Sequence, residues 1–285
     1  MGEYGPDPVL LTLGHGYSAG RLAASLPGWR RLGTVRSPER AAEIAAAEVE
    51  PVAWDAAGAV EAAVAAASHV LVSVPPDAVG DPVLRRLGPA LAAARPRWVG
   101  YLSTTGVYGD HAGGWVDEDA ALDPINDRSR WRVAAERAWL ATGLPVMVFR
   151  LAGIYGPGRS ALDRVREGRA QRVVKPGQVF SRIHVDDIAA VLRAAMARGV
   201  AGRAYNVADD EPAPPQDVIA YAAELLGMDL PPAVPFEEAG LSPMARSFYA
   251  ESKRVANRRI REELGVALAC PTYREGLRAI LAAGG

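Results

Sequence analysis

Short apolar runs alternate with amphipathic stretches through the first half of the chain. Residues 9–13, 31–35, 49–54, 70–74, 98–102 and 146–151 read as strands, and residues 17–26, 38–47, 59–67, 83–94 and 132–141 repeat at helical spacing. The strands are mostly continuous apolar runs rather than alternating ones, so both faces of their sheet must be covered. Strand–helix alternation with right-handed crossovers predicts an α/β fold with a doubly wound parallel sheet. Past residue 151 proline and glycine become frequent, and helices are expected at 187–197, 215–226, 253–264 and 273–283. The expected organisation is one domain over 1–151. Residues 152–285 should add late sheet elements and a small discontinuous C-terminal region.

Composition narrows the function. Of 285 residues, 49% are hydrophobic, enough for a sizeable core. The net charge is -1 and evenly spread, which excludes the basic stripe that nucleic acid needs. The most apolar stretch, 59–76, is interrupted by Glu61 and His69 and ends in Pro75-Pro76, so it reads as a helix plus a strand rather than a membrane span. The opening MGEYGPDP is acidic and lacks signal-peptide order. Cys270 is the single cysteine, which permits no intrachain disulfide and fits a reducing cytoplasm. His15, His69, His111 and His184 are far apart and lack carboxylates at metal-ligand spacing, so no metal is expected. Of the 32 basic residues only Lys175 and Lys253 are lysines; arginine replaces lysine as a general habit.

The first strand runs into a glycine-rich turn. In VLLTLGHGYSAGRLA, Gly14, Gly16 and Ala19 fit G-x-G-x-x-G/A, with Gly20 beside Ala19. Gly14 permits the tight turn, Gly16 lets a pyrophosphate approach the backbone, and Ala19 lets the helix pack closely. The helix N-terminus, with His15, Tyr17 and Ser18, then offers N–H groups to the phosphates of a dinucleotide. After the second strand, where NAD-binding proteins carry an acid, stand Arg36 and Ser37. An arginine suits a 2′-phosphate, favouring NADP(H) over NAD(H). Asp55 is placed either to reach the adenine or to cap the next helix. Ser73, Val74 and Pro75 end the fourth strand and should wall the cofactor cleft.

From Tyr101 onward, YLSTTGVYG, FRLAGIYGPG (149–158), RIHVDDIA (182–189), YNVADDEP (205–212) and SKRVANRRIREELG (252–265) follow in order. This set resembles the extended short-chain dehydrogenase/reductase superfamily of the NAD-dependent epimerase/dehydratase type, and is most similar to its atypical members. The resemblance implies a Rossmann domain, a small C-terminal substrate region and a homodimer formed through two Rossmann helices. It also implies catalysis by a Ser/Thr and a Tyr-x-x-x-Lys pair. The Ser/Thr position falls on Thr104, between Ser103 and Thr105. The tyrosine position falls on Arg128 and the lysine position on Arg132. Arg132 keeps the charge that binds the nicotinamide ribose. Arg128 has no proton to exchange near neutral pH and cannot serve as acid or base.

Tyr108 and Tyr155 are candidates to replace the missing tyrosine, or are structural parts of their motifs. Asp110 and His111 follow on the same loop, with His111 either catalytic or solvated. His184 is expected as a substrate contact, with Asp186 or Asp187 expected as cap of the next helix. Gly113-Gly114-Trp115 reads as a loop that closes on substrate or as plain surface. Ser103 and Ala152 complete the expected cofactor contacts, and Thr105, Tyr155 and His184 the substrate contacts. The expected function is an NADP(H)-dependent oxidoreductase or epimerase-like enzyme on an unidentified small molecule, with Thr104, Tyr108 and Arg132 catalytic. The alternatives are an inactive NADP(H)-binding sensor and, more remotely, a relative that binds no dinucleotide.

Overall fold

The computed structural model describes residues 8–284; the opening seven residues, read above as lacking signal-peptide order, lie outside them. The first half runs β1 (Val9–Leu13), α1 (Tyr17–Ala24), β2 (Arg30–Val35), α2 (Pro38–Ala46), β3 (Glu50–Ala53), α3 (Ala59–Ala66), β4 (His69–Val72), α4 (Pro82–Ala94) and β5 (Trp98–Thr104). A 3-10 turn at Thr105–Tyr108 leads to β6 (Trp115–Val116), α5 (Asp127–Leu140) and β7 (Val146–Leu151). The rest holds β8 (Gly153–Tyr155), α6 (Ala161–Arg166), β9 (Arg172–Val174), β10 (Arg182–His184), α7 (Val185–Arg198), β11 (Ala204–Val207) and α8 (Pro215–Leu226). It closes with β12 (Ala233–Pro235), α9 (Pro243–Phe248), β13 (Arg254–Val255), α10 (Arg258–Glu262) and α11 (Tyr273–Ala282).

Seven parallel strands form the central sheet in the order β11-β7-β5-β4-β1-β2-β3. The chain winds outward from β1 to β3, then returns to β4 and winds the other way, so the winding reverses between β1 and β4. This is the expected doubly wound α/β architecture, and a reversal of this kind opens a crevice at the carboxyl ends of the strands. Neighbouring strand residues point to opposite faces. Leu10 and Leu71 join the core under α1 and α7, while Leu11, Val70 and Val72 join the core under α3 and α4. Three smaller parallel pairs, β8 with β10, β9 with β12, and β6 with β13, build the C-terminal region.

Local signals fix several helix starts. Ser37 caps α2 with Pro38 behind it, and Asp81 caps α4 by accepting from the N–H groups of Val83 (2.9 Å) and Leu84 (3.0 Å). Asn126 caps α5 by accepting from Ser129 N at 3.0 Å. That cap starts the helix at Asp127, five residues before the expected 132. The expected helix over 253–264 is corrected to the short α10. Residues Arg254 and Val255 are instead extended, pairing with Trp115 and Val116.

Candidate functional site

The glycine turn spans the reversal of the sheet. Gly14 has φ +89°, a region that side chains disfavour, and a Cβ there would lie 2.8 Å from Ser73 Oγ. Its N–H donates to Thr34 Oγ1 at 2.8 Å and its carbonyl accepts from Ser73 Oγ. The turn is therefore pinned to the ends of both β2 and β4. Gly16 begins α1, and a Cβ on it would meet nothing within 4 Å. No side chain caps α1 and no acid lies in its first turn, so its N–H groups open onto the cleft. An open approach at Gly16 and an uncapped helix dipole are what a pyrophosphate requires.

Gly16, Tyr17 and Ser18 line the cleft, which has a volume of about 1080 Å³. Tyr17 crosses its mouth to donate to Pro157 O at 2.9 Å. His15 turns inward instead. Its Nδ1 lies 2.8 Å from Thr12 Oγ1 and its ring packs over Gly33. Burial, with a smaller contribution from Arg40, lowers its pKa to about 4. The imidazole is thus a neutral packing element, and only the His15 backbone belongs to the turn.

Arg36 is exposed at the carboxyl end of β2, beside the turn that β1 enters. Ser37 caps α2, and Arg40 in that helix donates to His15 O at 3.0 Å. Asp55 is exposed just past β3 and is not a helix cap; Gly58, with φ +74°, begins α3. Val74 and Pro75 follow β4, with Val74 packed against Gly14. All of these residues lie at the carboxyl end of the sheet.

The end of β5 forms the opposite wall. Ser103, Thr104, Thr105, Arg132 and Ala152 line the cleft. Ser103 Oγ donates to the buried Glu136. Thr104 Oγ1 accepts from Gly106 N at 3.1 Å, which leaves its hydroxyl proton available to a ligand. Arg132 donates to Leu102 O at 2.9 Å and to the Tyr101 hydroxyl at 3.1 Å. These bonds fix its guanidinium against the carboxyl end of β5. Arg128, one turn earlier on α5, is exposed outside the cleft lining and donates to Ser247 Oγ at 3.0 Å.

The replacement acid–base candidates fall elsewhere. Tyr108 is fully buried, 0% exposed, and does not line the cleft. Its hydroxyl donates to Asn206 Oδ1 at 2.6 Å and accepts from Arg150 Nη1 at 2.9 Å. Arg150 pairs in turn with Glu136 at 2.9 Å, and burial pushes the Tyr108 phenol up to about 12. Tyr108 is thus a bolt joining the strand ends, because its motif turn tucks the ring beneath β7. His111 Nε2 donates back to Tyr108 O at 3.2 Å, and Asp110 accepts from Ser252 N at 2.7 Å. Neither lines the cleft. The Gly113-Gly114-Trp115 loop is stitched down, with Gly113 N donating to Ser252 O and Gly114 O accepting from Arg254 N, both at 2.8 Å.

Tyr155 borders the cleft, but its hydroxyl donates to Thr272 O at 3.3 Å and burial raises its pKa. His184 lies behind it, with ring centroids 5.2 Å apart, and does not reach the cleft. His184 itself caps α7, accepting from Asp186 N at 3.3 Å. The expected Asp caps are otherwise engaged: Asp186 pairs with Arg21, and Asp187 accepts from Ala269 N (2.7 Å) and Cys270 N (3.0 Å).

Sequence reasoning did not reach the far half of the cleft, where Arg164, Arg182, Tyr249, Glu251 and Lys253 stand. Arg182 donates to the carbonyls of Phe180 (2.8 Å) and Ala213 (3.0 Å). Beside it the Asp209 carboxylate is buried, and burial pushes its pKa up to about 8 against the pull of Arg182 and of the Glu211 N–H. The lone signal available was compositional: Lys253 is one of two lysines.

The NAD dependent epimerase/dehydratase family model matches residues 83–208. A functionally unknown conserved protein from Silicibacter pomeroyi shares 55% identity over 97% of this chain and 99% of its own, with a TM-score of 0.90. A 3-diazoavenalumate denitrifying reductase from a Streptomyces species is 30% identical over 179 residues, 57% of this chain and 58% of that one. The chain spans little more than half the length of the curated relatives it matches. The dTDP-glucose 4,6-dehydratase DesIV from Streptomyces venezuelae, solved with NAD bound, has the same fold at 17% identity, with a TM-score of 0.77 over 96% of each chain.

Proposed function

We propose that this chain, whose residues 83–208 match the NAD dependent epimerase/dehydratase family model, is an NADP(H)-dependent oxidoreductase or epimerase-like enzyme acting on a small molecule. The observation that carries the reading is one continuous cleft. It joins the uncapped start of α1, open at Gly16, to Thr104, Thr105 and Arg132 at the end of β5. The α1 amides would hold the pyrophosphate and Arg132 the nicotinamide ribose. Thr104 would direct its free hydroxyl proton to a substrate oxygen. The dinucleotide, when bound, supplies or accepts hydride. The exposed Arg36 at the carboxyl end of β2 supports the NADPH reading: one charge-assisted bond from it to a 2′-phosphate would favour NADPH over NADH by about ten- to hundredfold.

Calorimetry on protein stripped of nucleotide tests this reading: NADPH should bind more tightly than NADH, and neither binding would sink it. A second reading, a dinucleotide-binding sensor without turnover, is favoured by Arg128. The position that should supply the acid carries a guanidinium turned to Ser247. It requires NADPH binding with no hydride transfer to any carbonyl compound.

A further inference from the structure

The proposed function leaves one pair in the cleft without work. Lys253 Nζ lies 2.6 Å from Glu251 Oε2, and the two side chains are 9% and 11% exposed. Both line the cleft that holds Thr104, Thr105 and Arg132. Asn126, the cap of α5, donates to the other Glu251 oxygen at 3.3 Å. The segment carrying the pair runs directly into β13, where alternate residues share a face. Glu251, Lys253 and Val255 face the cleft. Ser252 and Arg254 face away, tied to Asp110 (2.7 Å), to Gly177 O (3.1 Å) and to Gly114 O (2.8 Å). Gln178 donates to Glu251 O at 2.7 Å, and Val255 N donates to Ser181 Oγ at 3.0 Å. The pair is therefore held from both sides of its segment.

The chemistry of the lining selects Lys253. The other basic side chains there are arginines (Arg132, Arg159, Arg164, Arg169, Arg182), which cannot release a proton. Four tyrosines also line the cleft: Tyr17 and Tyr155 give their hydroxyl protons to main-chain carbonyls, and burial raises the phenols of Tyr249 and Tyr273 above their ordinary value, so they hold their protons more tightly. Besides Glu251, the charge of Lys253 reaches Asp110, whose carboxyl is held below the usual range chiefly by the Ser252 N–H, with Lys253 and Lys175 adding smaller pulls.

We propose that Lys253, positioned by Glu251, is the proton donor and acceptor of this site in place of the family's tyrosine. The inference rests on the hydride-transfer reading above. In the reducing direction, hydride from reduced nicotinamide adds to the substrate carbonyl carbon, and the C=O π pair moves to oxygen. The oxygen takes a proton as a Lys253 N–H bond breaks. The products are the alcohol, oxidised nicotinamide and a neutral amine that regains its proton from solvent. The oxidising direction is the reverse.

The test follows NADPH oxidation with two probes, neutral 9,10-phenanthrenequinone and anionic 2-oxobutanoate, in the wild type, Lys253→Met, Lys253→Arg and Glu251→Gln. Cofactor affinity is measured by calorimetry on the same proteins. The Nζ environment is read by NMR on ¹⁵N-lysine protein, where two lysines give two signals. Lys253→Met and Lys253→Arg should bind NADPH as the wild type does, yet lose about a hundred- to ten-thousandfold in kcat. Glu251→Gln should shift the Lys253 Nζ resonance and the pH profile of kcat while NADPH affinity stays at the wild-type level, because the substitution removes the carboxylate that positions the amine. Wild-type kcat in Lys253→Met overturns the proposal. So does rescue by Lys253→Arg with the effect confined to KM, since that marks an anchoring charge. A wild type that binds NADPH but reduces neither probe overturns hydride transfer and this inference together, and absent binding shows that the cofactor reading failed first.

Discussion

Tyr108→Phe separates a structural bolt from a catalytic acid, because the two roles predict opposite results. The substitution removes one hydroxyl from a site that is 0% exposed. Asn206 Oδ1 then loses its 2.6 Å donor, while Arg150 keeps its 2.9 Å ion pair with Glu136 and its 3.3 Å bond to Glu118 O. A buried acceptor left unpaired costs about 1–3 kcal/mol, so urea unfolding should show a loss of that size with an unchanged slope. At about 2–4 °C per kcal/mol for chains near this length, Tm should fall by about 2–12 °C. Turnover and cofactor affinity should stay at wild-type levels. Alkaline pH supplies an independent check. Burial raises the phenol from its ordinary 10.0 to about 12, so the folded state holds the proton more tightly than the unfolded one. Stability from this group is complete below pH about 10 and is lost as pH rises toward about 12, a loss the Phe variant must lack. Unchanged stability with abolished turnover would refute the reasoning and return the phenol to the cleft.

Gly16→Ala should fold with an unaltered urea midpoint, since its Cβ meets nothing, yet weaken NADPH binding by about tenfold or more on calorimetry. Gly14→Ala should instead cost about 1–2 kcal/mol or more in unfolding, because φ is +89° and Ser73 Oγ is 2.8 Å away. Arg36→Glu should lower NADPH affinity by about ten- to hundredfold and leave NADH affinity nearly unchanged, and equal losses for both would remove the 2′-phosphate assignment. The His15 value is depressed from 6.5 to about 4, so its neutral form contributes stability above pH 6.5 that is lost as pH falls toward 4. That loss amounts to about 3 kcal/mol, and His15→Gln should flatten the acid limb of a urea-midpoint profile.

The parts of this molecule that could be read in advance are those whose partners are close in sequence. The glycine turn is strand, turn and helix within a dozen residues, and the special backbone at Gly14 follows from that local geometry. The apolar strands announced the sheet because each must be covered on both faces. Tyr108 failed for the opposite reason: its fate is decided by Asn206 and Arg150, residues of other strands, and nothing in Val-Tyr-Gly declares them. Residues 254–256 have the composition of a helix but are held extended by β6, a pairing invisible from either segment alone. The true start of α5 did carry a local signal, the Asn126-Asp127 cap, which the apolar periodicity outweighed.

The same division explains how the site can lack its tyrosine and keep its shape. Arg128 lies on the exposed first turn of α5 and reaches outward to Ser247, so nothing in the core depends on that position. The carboxyl ends of β5, β7 and β11 are instead locked by Ser103, Glu136, Arg150, Tyr108 and Asn206, all buried and mutually bonded. Removing one member of such a network is costly, whereas changing a side chain on the outer turn is nearly free. The frame that places Thr104 and Arg132 is therefore insulated from the identity of the proton donor. Any exchangeable group carried by another rigid segment of the same cleft can take over that task without repacking the core. The segment at Lys253 is such a support: its main chain is bonded to Gln178, Asp110, Gly114 and Ser181.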